Sequence, residues 1–208
     1  MELASMDNYF DGIALKFAQH VDTKIVKFLG SGEHGNAYLT DNDRVIKVTT
    51  DKSEYDESRR LIGKDPIHLP KIYDCYTVES KNLITPMWVI YLEYVRHNRK
   101  EQEHLWWELV NAFEDDLHLD FMDELSSYQV NHNSTDEMVD LLNHLNIGED
   151  VVDYYGQIIN MIDEMKKYGI KSIDYGPNNF GFRNNTLVFF DLGFGEEDEN
   201  GSHKTFKF

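Results

Sequence analysis

The sequence has little cysteine and no long apolar run. Its 208 residues include one cysteine, Cys75, which excludes an internal disulfide and a cysteine-rich zinc site. No apolar run approaches the roughly 18–20 residues that a membrane span requires. The N-terminus also lacks the basic region and the continuous apolar core of a signal peptide. We therefore expect no membrane association and a location in the reducing cytoplasm.

Basic residues are scarce relative to acidic ones. The chain has 20 Lys and Arg against 38 Asp and Glu, and its formal net charge is −18. Such a surface repels nucleic-acid backbones and anionic lipids and attracts basic partners. Between Glu101 and Asp153 there are 15 acidic residues and no Lys or Arg. Three interpretations of this stretch are open: a solvated acidic surface, a docking face for a basic protein, and a mimic of nucleic-acid charge. Composition alone does not choose between these, but it excludes a nucleic-acid partner.

The first half of the sequence alternates strand-like runs with polar turns. The predicted strands are 24–30, 35–40, 44–50, 71–78 and 87–95. A leading helix is predicted near 7–20, and a short helix over 51–63. In this short helix, Ser53 followed by Asp56 three residues later indicates an N-cap at Ser53. Gly63 indicates the end of the helix.

From about residue 99 the apolar residues change to a helical period. Leu105, Leu109 and Phe113 are four residues apart and mark one helical face. A second amphipathic series follows, made of Val151, Tyr155, Ile158, Ile162 and Met165. Between the two helices, 126–135 is predicted as a loop, and the chain ends in a strand pair around an Asn184-Asn185 turn. The whole pattern predicts an α+β fold with two lobes and a cleft between them.

A glycine-rich pattern follows the first predicted strand. Gly30, Gly32 and Gly35 in "GSGEHGNAY" form a G-x-G-x-x-G pattern. Glycines let a backbone turn tightly and bring its N–H groups against phosphate oxygens without an obstructing Cβ. A Rossmann fingerprint would continue into a helix, whereas the strand-forming "NAYLT" follows here. The pattern therefore predicts either a loop folded over a nucleotide or an ordinary glycine-containing hairpin.

Four polar residues on later segments are candidates for phosphate chemistry. Lys47 lies in the middle of the strand "RVIKV" and is either exposed or a cation directed into the cleft. Asp174 and Asn179 are five residues apart in "DYGPNN", and Asp191 follows an apolar strand in "VFFDLGF". Singly, Asp174, Asn179 and Asp191 are typical of turns. Phosphoryl transfer, however, needs oxygen ligands for magnesium, a positioned acceptor hydroxyl and positive charge on the phosphates.

In the order and spacing of these parts the chain resembles the protein-kinase-like superfamily. "GSGEHGNAY" resembles the glycine-rich loop, "VIKV" the strand with the phosphate-contacting lysine, and "LEYV" the hinge. "DYGPNN" is similar to the catalytic loop, and "DLG" to the magnesium-binding motif. The resemblance covers about residues 24–195. It implies one bilobal domain, with an antiparallel β-sheet N-lobe over about 1–95 and a reduced, mostly helical C-lobe over about 96–208. The compact build is also similar to small kinases encoded by bacteriophages.

The resemblance implies a role for each chemical group. Lys47 would contact the α- and β-phosphates of ATP, and Asp174 would accept or orient the acceptor hydroxyl. Asn179 and Asp191 would bind Mg²⁺.

The resemblance also implies positions that hold the nucleotide. Backbone groups near Glu93 and Val95 would hydrogen-bond adenine. The partner of Lys47 would be Glu54 or Glu57, and Glu57 is our choice because it lies deeper in the predicted helix. The glycine-rich loop would contribute Gly30, Ser31, Gly32 and Gly35.

Three departures from the family pattern concern catalysis. Ser172-Ile173 replace the usual His-Arg before Asp174, and Gly176 stands where a transition-state lysine often lies. Only 15 residues follow Gly193, which leaves no room for an activation segment or a peptide platform. A peptide substrate would then dock elsewhere, and the acidic region 101–153 is the candidate surface.

Three functional hypotheses follow. The first is an ATP- and Mg²⁺-dependent protein kinase that modifies host or partner proteins. The second is a pseudokinase-like protein whose acidic face binds a basic partner, and the third is a small-molecule kinase of the aminoglycoside type. The histidines of the acidic region lack the close pairing of zinc ligands, so we expect them to be structural or exposed.

Overall fold

A six-stranded sheet with two helices packed against it forms most of the first half of the fold. The computed structural model describes residues 6–81, 83–97, 99–131, 135–145, 147–171, 175–193 and 204–208. Helix α1 spans Met6–His20, as predicted. The strands are β1 (Ile25–Ser31), β2 (Gly35–Thr40), β3 (Arg44–Thr49), β4 (Ile72–Glu79), β5 (Trp88–Glu93) and β8 (Thr205–Lys207).

The sheet is mixed, with the spatial order β1-β2-β3-β5-β4-β8. The first five strands pair antiparallel, but β8 pairs with β4 in parallel. The expectation of a purely antiparallel sheet is therefore corrected at one edge. A three-residue strand has too short a pattern to be recognised in the sequence, and here Phe206 contributes by packing into the core.

The core of this sheet lies under α1. Phe10, Ile13, Ala14 and Phe17 recur at helical spacing on α1 and are all buried. They pack with apolar residues of the strands: Tyr38, Ile46, Val48, Val78, Val89, Tyr91 and Phe206. The helix and the strand alternation together thus bury one continuous apolar layer.

Helix α2 (Lys52–Arg60) begins directly after β3. Its N-cap is Asp51, whose side chain accepts hydrogen bonds from the N–H groups of Ser53 and Glu54. The predicted N-cap at Ser53 is therefore wrong, because the carboxylate two residues earlier already binds the open N–H groups of the first turn. Gly63 lies just beyond the end of the helix with a φ of 73°.

The second half of the fold is mostly helical. Helix α3 (Arg99–Asn111) continues into a π-helical turn (Ala112–Asp116), followed by α4 (Phe121–Asn131), α5 (Thr135–His144) and α6 (Glu149–Tyr168). The predicted apolar face of α6 is buried, and Gly169 ends the helix with a φ of 69°. The loop predicted over 126–135 is wrong for 126–131, which complete α4. Buried Phe121 and Leu125 anchor that helix, and packing overrides the polar composition of its last turns.

A hairpin completes this helical part. Strands β6 (Phe180–Arg183) and β7 (Thr186–Phe189) pair antiparallel, as predicted. The turn between them contains Asn184 with a φ of 57°, a conformation that asparagine tolerates well.

The chain divides into two compact units. The first comprises Met1–Asp65, Pro70–Tyr94 and Leu192–Phe208, and the second comprises Pro66–Leu69 and Val95–Asp191. The predicted α+β class is confirmed, with a strand-rich first unit and a mostly helical second unit. Among the described residues, no helix is both long enough and apolar enough to span a bilayer.

Candidate functional site

The glycine-rich loop joins β1 to β2 in the first unit. The N–H of Gly32 donates to the carbonyl of Gly35 at 2.8 Å, which closes the loop. A Cβ at Gly35 would lie 2.2 Å from the carbonyl oxygen of Val48. Only glycine therefore lets β2 pass this close to β3.

The other two glycines face open space. A Cβ at Gly30 would meet no described atom within 4 Å, and one at Gly32 would meet only the carbonyl oxygen of Gly35, at 4.0 Å. Ser31 and Gly32 are exposed at the tip of the loop. This surface has the room that binding of phosphate oxygens requires.

Lys47 is held by an ion pair within the first unit. It lies on β3 between Ala37 of β2 and Ile90 of β5, and its Nζ is paired with the carboxylate of Glu54 on α2. The side chain of Lys47 is 20% exposed and that of Glu54 is 5% exposed. The ion pair thus fixes the direction of the ammonium group.

The structure gives Lys47 an ion pair with Glu54, the other glutamate that the resemblance allowed, and places Glu57 beside Arg60. Oε2 of Glu57 lies 3.6 Å from Nε of Arg60, and Glu57 is fully buried. The reason is the short connection after β3. Asp51, two residues after the end of β3, is the N-cap of α2. The first turn of the helix, which carries Glu54, therefore lies beside β3.

The two predicted metal ligands lie at the same end of the hairpin in the second unit. Asn179 is the last residue of a 3-10 turn (Pro177–Asn179), and its carbonyl accepts the N–H of Phe190 at 2.9 Å. Since Phe180 pairs with Phe189, Asn179 and Phe190 continue the ladder, and Asp191 follows directly. Asn179 and Asp191 are both half-buried.

This pair of oxygen donors fits magnesium. Mg²⁺ prefers oxygen ligands and usually combines few protein groups with water and substrate phosphates. In the described part of the chain there is no cluster of three or more His, Cys, Asp or Glu side chains suited to a metal. The donor set therefore matches a magnesium–nucleotide site better than a zinc site, whose ligands are mostly nitrogen and sulfur.

The predicted catalytic Asp174 lies outside the described residues, as do Ser172 and Ile173. The positions that flank them are well anchored. Before them, the N–H of Ile170 donates to the carbonyl of Met165 at 2.9 Å. After them, Tyr175 is fully buried with its ring 5.9 Å from that of Phe189. Burial raises the pKa of the Tyr175 phenol, so this side chain is a neutral packing group.

The hinge positions are at the end of β5. The N–H of Glu93 donates to the carbonyl of Lys71 at 2.9 Å, and its carboxylate accepts the N–H of Lys71 at 3.1 Å. Both the N–H and the carboxylate of Glu93 are therefore used in contacts with Lys71. Val95 is buried and begins the second unit.

Sequence reasoning missed the segment Pro66–Leu69, which belongs to the second unit. Arg183 donates to the carbonyls of Pro66, Ile67 and Leu69, each at 3.0 Å. Glu164 accepts the N–H groups of Ile67 and His68 at 2.8 and 2.6 Å. Two charged side chains thus bind this segment beside the hairpin that carries the metal ligands. No periodic signal in the sequence marks these contacts.

Comparison with known proteins adds a structural likeness. No family model and no curated protein matches the sequence. Among solved structures, the ternary complex of streptomycin, ATP and APH(2″)-IIa is similar, with a TM-score of 0.38 and 15% identity. The match covers 94% of this chain and 72% of that chain. A likeness at this level identifies no activity, so any functional assignment depends on the residues of the chain itself.

Proposed function

We propose that the protein is an ATP- and Mg²⁺-dependent phosphotransferase whose acceptors are proteins of the cytoplasm. The observation that carries the proposal is the ion pair between Lys47 and Glu54. Protein kinases require a lysine on the third strand paired with a glutamate of the following helix, next to a glycine-rich loop. The first unit contains this set of parts in this order.

Each residue has a defined task in the reaction. The backbone N–H groups of the loop from Gly30 to Gly35 bind phosphate oxygens, and Lys47 supplies positive charge. Asn179 and Asp191 would hold Mg²⁺, which would supply positive charge to the phosphates. Asp174 orients the acceptor hydroxyl and takes its proton. The acceptor oxygen bonds to the γ-phosphorus, the bond to the β,γ-bridging oxygen breaks, and ADP leaves.

The proposed acceptor is a basic protein. Exposed carboxylates follow one another along α3, the π-helical turn and the start of α4. They are Glu108, Glu114, Asp115, Asp116, Asp120 and Asp123. Trp107, whose side chain is 55% exposed, lies next to them and can bind a cationic side chain over its ring. Such a surface increases the encounter rate with a basic partner.

The test is transfer of labelled phosphate from γ-labelled ATP to the protein itself and to lysate proteins. With Mg²⁺ we expect transfer by the wild type and a loss of about 10²-fold or more in Lys47→Met and Asp191→Ala. Lys52→Met is the matched control. Lys52 is the nearest lysine on α2, paired with Asp56 at 2.7 Å, and its loss leaves the transfer rate unchanged.

The same assay separates the rival functions. Equal transfer by wild type and Asp191→Ala contradicts the proposal. A protein that transfers no phosphate, yet captures a basic partner in a salt-sensitive way, is a binding protein. Transfer to an aminoglycoside but to no protein identifies a small-molecule kinase.

A further inference from the structure

His97 holds the residue that directly follows Asn179. Its ring nitrogen Nδ1 lies 2.8 Å from the carbonyl oxygen of Phe180. Because a carbonyl oxygen only accepts hydrogen bonds, Nδ1 carries the hydrogen and donates it. Phe180 is fully buried, whereas His97 is exposed. A side chain at the surface thus binds a backbone carbonyl next to a residue that is proposed to bind Mg²⁺.

The direction of the backbone explains how this carbonyl meets His97. The carbonyl of Asn179 accepts the N–H of Phe190 at 2.9 Å, so Asn179 forms its hydrogen bond on the side of β7. Successive residues of a strand direct their backbone groups to opposite sides. The carbonyl of Phe180 therefore points away from β7, to the side on which His97 lies.

The segment before His97 runs along the same outer side of β6. The N–H of Phe182 donates to the carbonyl of Arg96 at 2.8 Å, and these two residues form an antiparallel bridge. A Cβ at Gly181 would lie 2.5 Å from Cγ1 of Val95 and 2.9 Å from the carbonyl oxygen of Arg96. Glycine therefore lets this segment pass close to the strand, which brings the ring of His97 to the start of β6.

His97 also contacts the residue that precedes Asp191. Its ring lies 6.1 Å from that of Phe190 at an interplanar angle of 83°, a T-shaped arrangement that aromatic pairs prefer. Asp191 directly follows Phe190 in the sequence. One side chain thus contacts both segments at this end of the hairpin, in each case at the residue next to a proposed metal ligand.

We propose that His97 is a positioning residue of the magnesium site, which fixes the backbone on both sides of the hairpin end so that Asn179 and Asp191 direct their oxygen donors to one metal ion. This inference rests on the proposed function. The effect passes through the backbone of Phe180 and Phe190 and requires no contact between the imidazole and the metal. Mg²⁺ demands nearly ideal octahedral geometry, and groups that orient metal ligands therefore affect the affinity for the metal.

The decisive experiment compares His97→Phe and His97→Asn with the wild type. Phenylalanine keeps a ring beside Phe190 but removes the donor. Asparagine loses the ring but keeps a donor, because its Nδ2 is separated from Cβ by as many bonds as Nδ1 of histidine. The measurement is the Mg²⁺ concentration that gives half-maximal ATP binding in calorimetric titrations. We expect this Mg²⁺ requirement to rise about 10-fold in His97→Phe and by much less in His97→Asn.

His68→Phe is the matched control. Nδ1 of His68 lies 2.9 Å from the carbonyl oxygen of Leu187, so the same kind of contact holds the same hairpin. Leu187 pairs with Phe182, near the turn and away from the proposed ligands. Loss of either histidine lowers the melting temperature, because a backbone carbonyl loses its contact with the ring nitrogen. Only His97→Phe raises the Mg²⁺ requirement, which separates positioning from support of the fold.

A second measurement tests the geometry in the protein without nucleotide or metal. NMR of the imidazole nitrogens distinguishes the two neutral tautomers at about pH 8, above the usual histidine pKa. The signals of His97 are identified by their loss in His97→Asn. We expect the hydrogen on Nδ1. A hydrogen on Nε2 excludes the bond to the carbonyl of Phe180 and overturns the inference.

Several results of the titrations also overturn the inference. An unchanged Mg²⁺ requirement in His97→Phe shows that the histidine has no role at the metal. An equal rise in His68→Phe shows that any weakening of the hairpin has this effect, and an equal rise in His97→Asn shows that the donor is unimportant. If His97→Phe does not fold, His97→Leu replaces it, because leucine matches asparagine in size but lacks the donor.

Failure of the proposed function gives a different result. A wild type that binds no ATP with Mg²⁺ overturns the proposed function together with this inference. A wild type that binds ATP with Mg²⁺, together with a His97→Phe protein that has the same Mg²⁺ requirement, overturns the role of His97 alone.

Discussion

At the scale of single residues, the choice between Glu54 and Glu57 can be tested directly. Glu54→Gln keeps the size of the side chain but removes the charge that holds Lys47. We expect phosphotransfer to fall by about 10²-fold, because a displaced lysine no longer aligns the phosphates. The measurement is the rate of label transfer as a function of ATP concentration.

Glu57→Gln is the matched control for this prediction. It removes a buried carboxylate paired with Arg60 and lowers the free energy of unfolding by about 1–3 kcal/mol. Below its melting transition, however, it transfers phosphate at the wild-type rate. A loss of activity in Glu57→Gln as large as that in Glu54→Gln would contradict the assignment of Glu54.

The sequence indicated Lys47 but did not distinguish Glu54 from Glu57 as its partner, for a physical reason. The position of Lys47 follows from strand alternation, which is a local pattern. The choice between two glutamates on one short helix depends on where that helix begins. Capping by Asp51 rather than Ser53 starts α2 immediately after β3, and a difference of two residues decides which turn faces the strand. Such a competition between two good N-cap residues is settled by the tertiary structure.

At the scale of elements, the glycine-rich loop contains glycines with different roles. Gly35→Ala places a Cβ 2.2 Å from the carbonyl oxygen of Val48 and 2.9 Å from Cα of Thr49. The backbone of β2 or β3 must then shift. We expect the free energy of unfolding to fall by about 1–3 kcal/mol, measured by urea denaturation.

Gly30→Ala provides the contrast, because its Cβ would meet no described atom within 4 Å. Its stability stays within about 0.5 kcal/mol of the wild type. Its affinity for ATP falls nevertheless, because the new methyl group occupies the space for the phosphates. Wild-type ATP affinity in Gly30→Ala would contradict a phosphate-binding role for this part of the loop.

Elements with a strong local period were predicted from the sequence, and elements that depend on distant contacts were not. The apolar face of α6 and the Asn184-Asn185 hairpin carry their own signals. The end of α4 has a polar sequence and depends on buried Phe121 and Leu125. Strand β8 depends on β4, more than 100 residues earlier in the sequence. Asn179 and Asp191 were predicted as ligands, and the hairpin register explains why they lie at the same end of the hairpin.

At the scale of the whole molecule, the tyrosines limit stability at alkaline pH. Burial, followed by hydrogen bonds to Asp74 and Asp163 respectively, raises the pKa of Tyr76 and of Tyr128 to about 12. Burial also raises the pKa of Tyr154 and Tyr155. These groups occur in both units, so the effect concerns the stability of the entire chain.

The direction of the effect follows from the protons bound in each state. With a folded pKa above the unfolded value of about 10, these phenols stay neutral in the folded protein while they ionise in the unfolded chain. Their contribution to stability is therefore complete below about pH 10 and is lost as the pH rises toward 12. Each phenolate also adds negative charge to a chain whose net charge is already −18, which increases self-repulsion.

We expect the urea midpoint to be constant up to about pH 10 and to fall steeply above it. Tyr128→Phe removes a phenol that donates to Asp163 at 2.9 Å. It should lower the midpoint near neutral pH, because that hydrogen bond is lost, but it should show a smaller decline between about pH 10 and 12. A decline as steep in Tyr128→Phe as in the wild type would exclude this tyrosine from the alkaline transition.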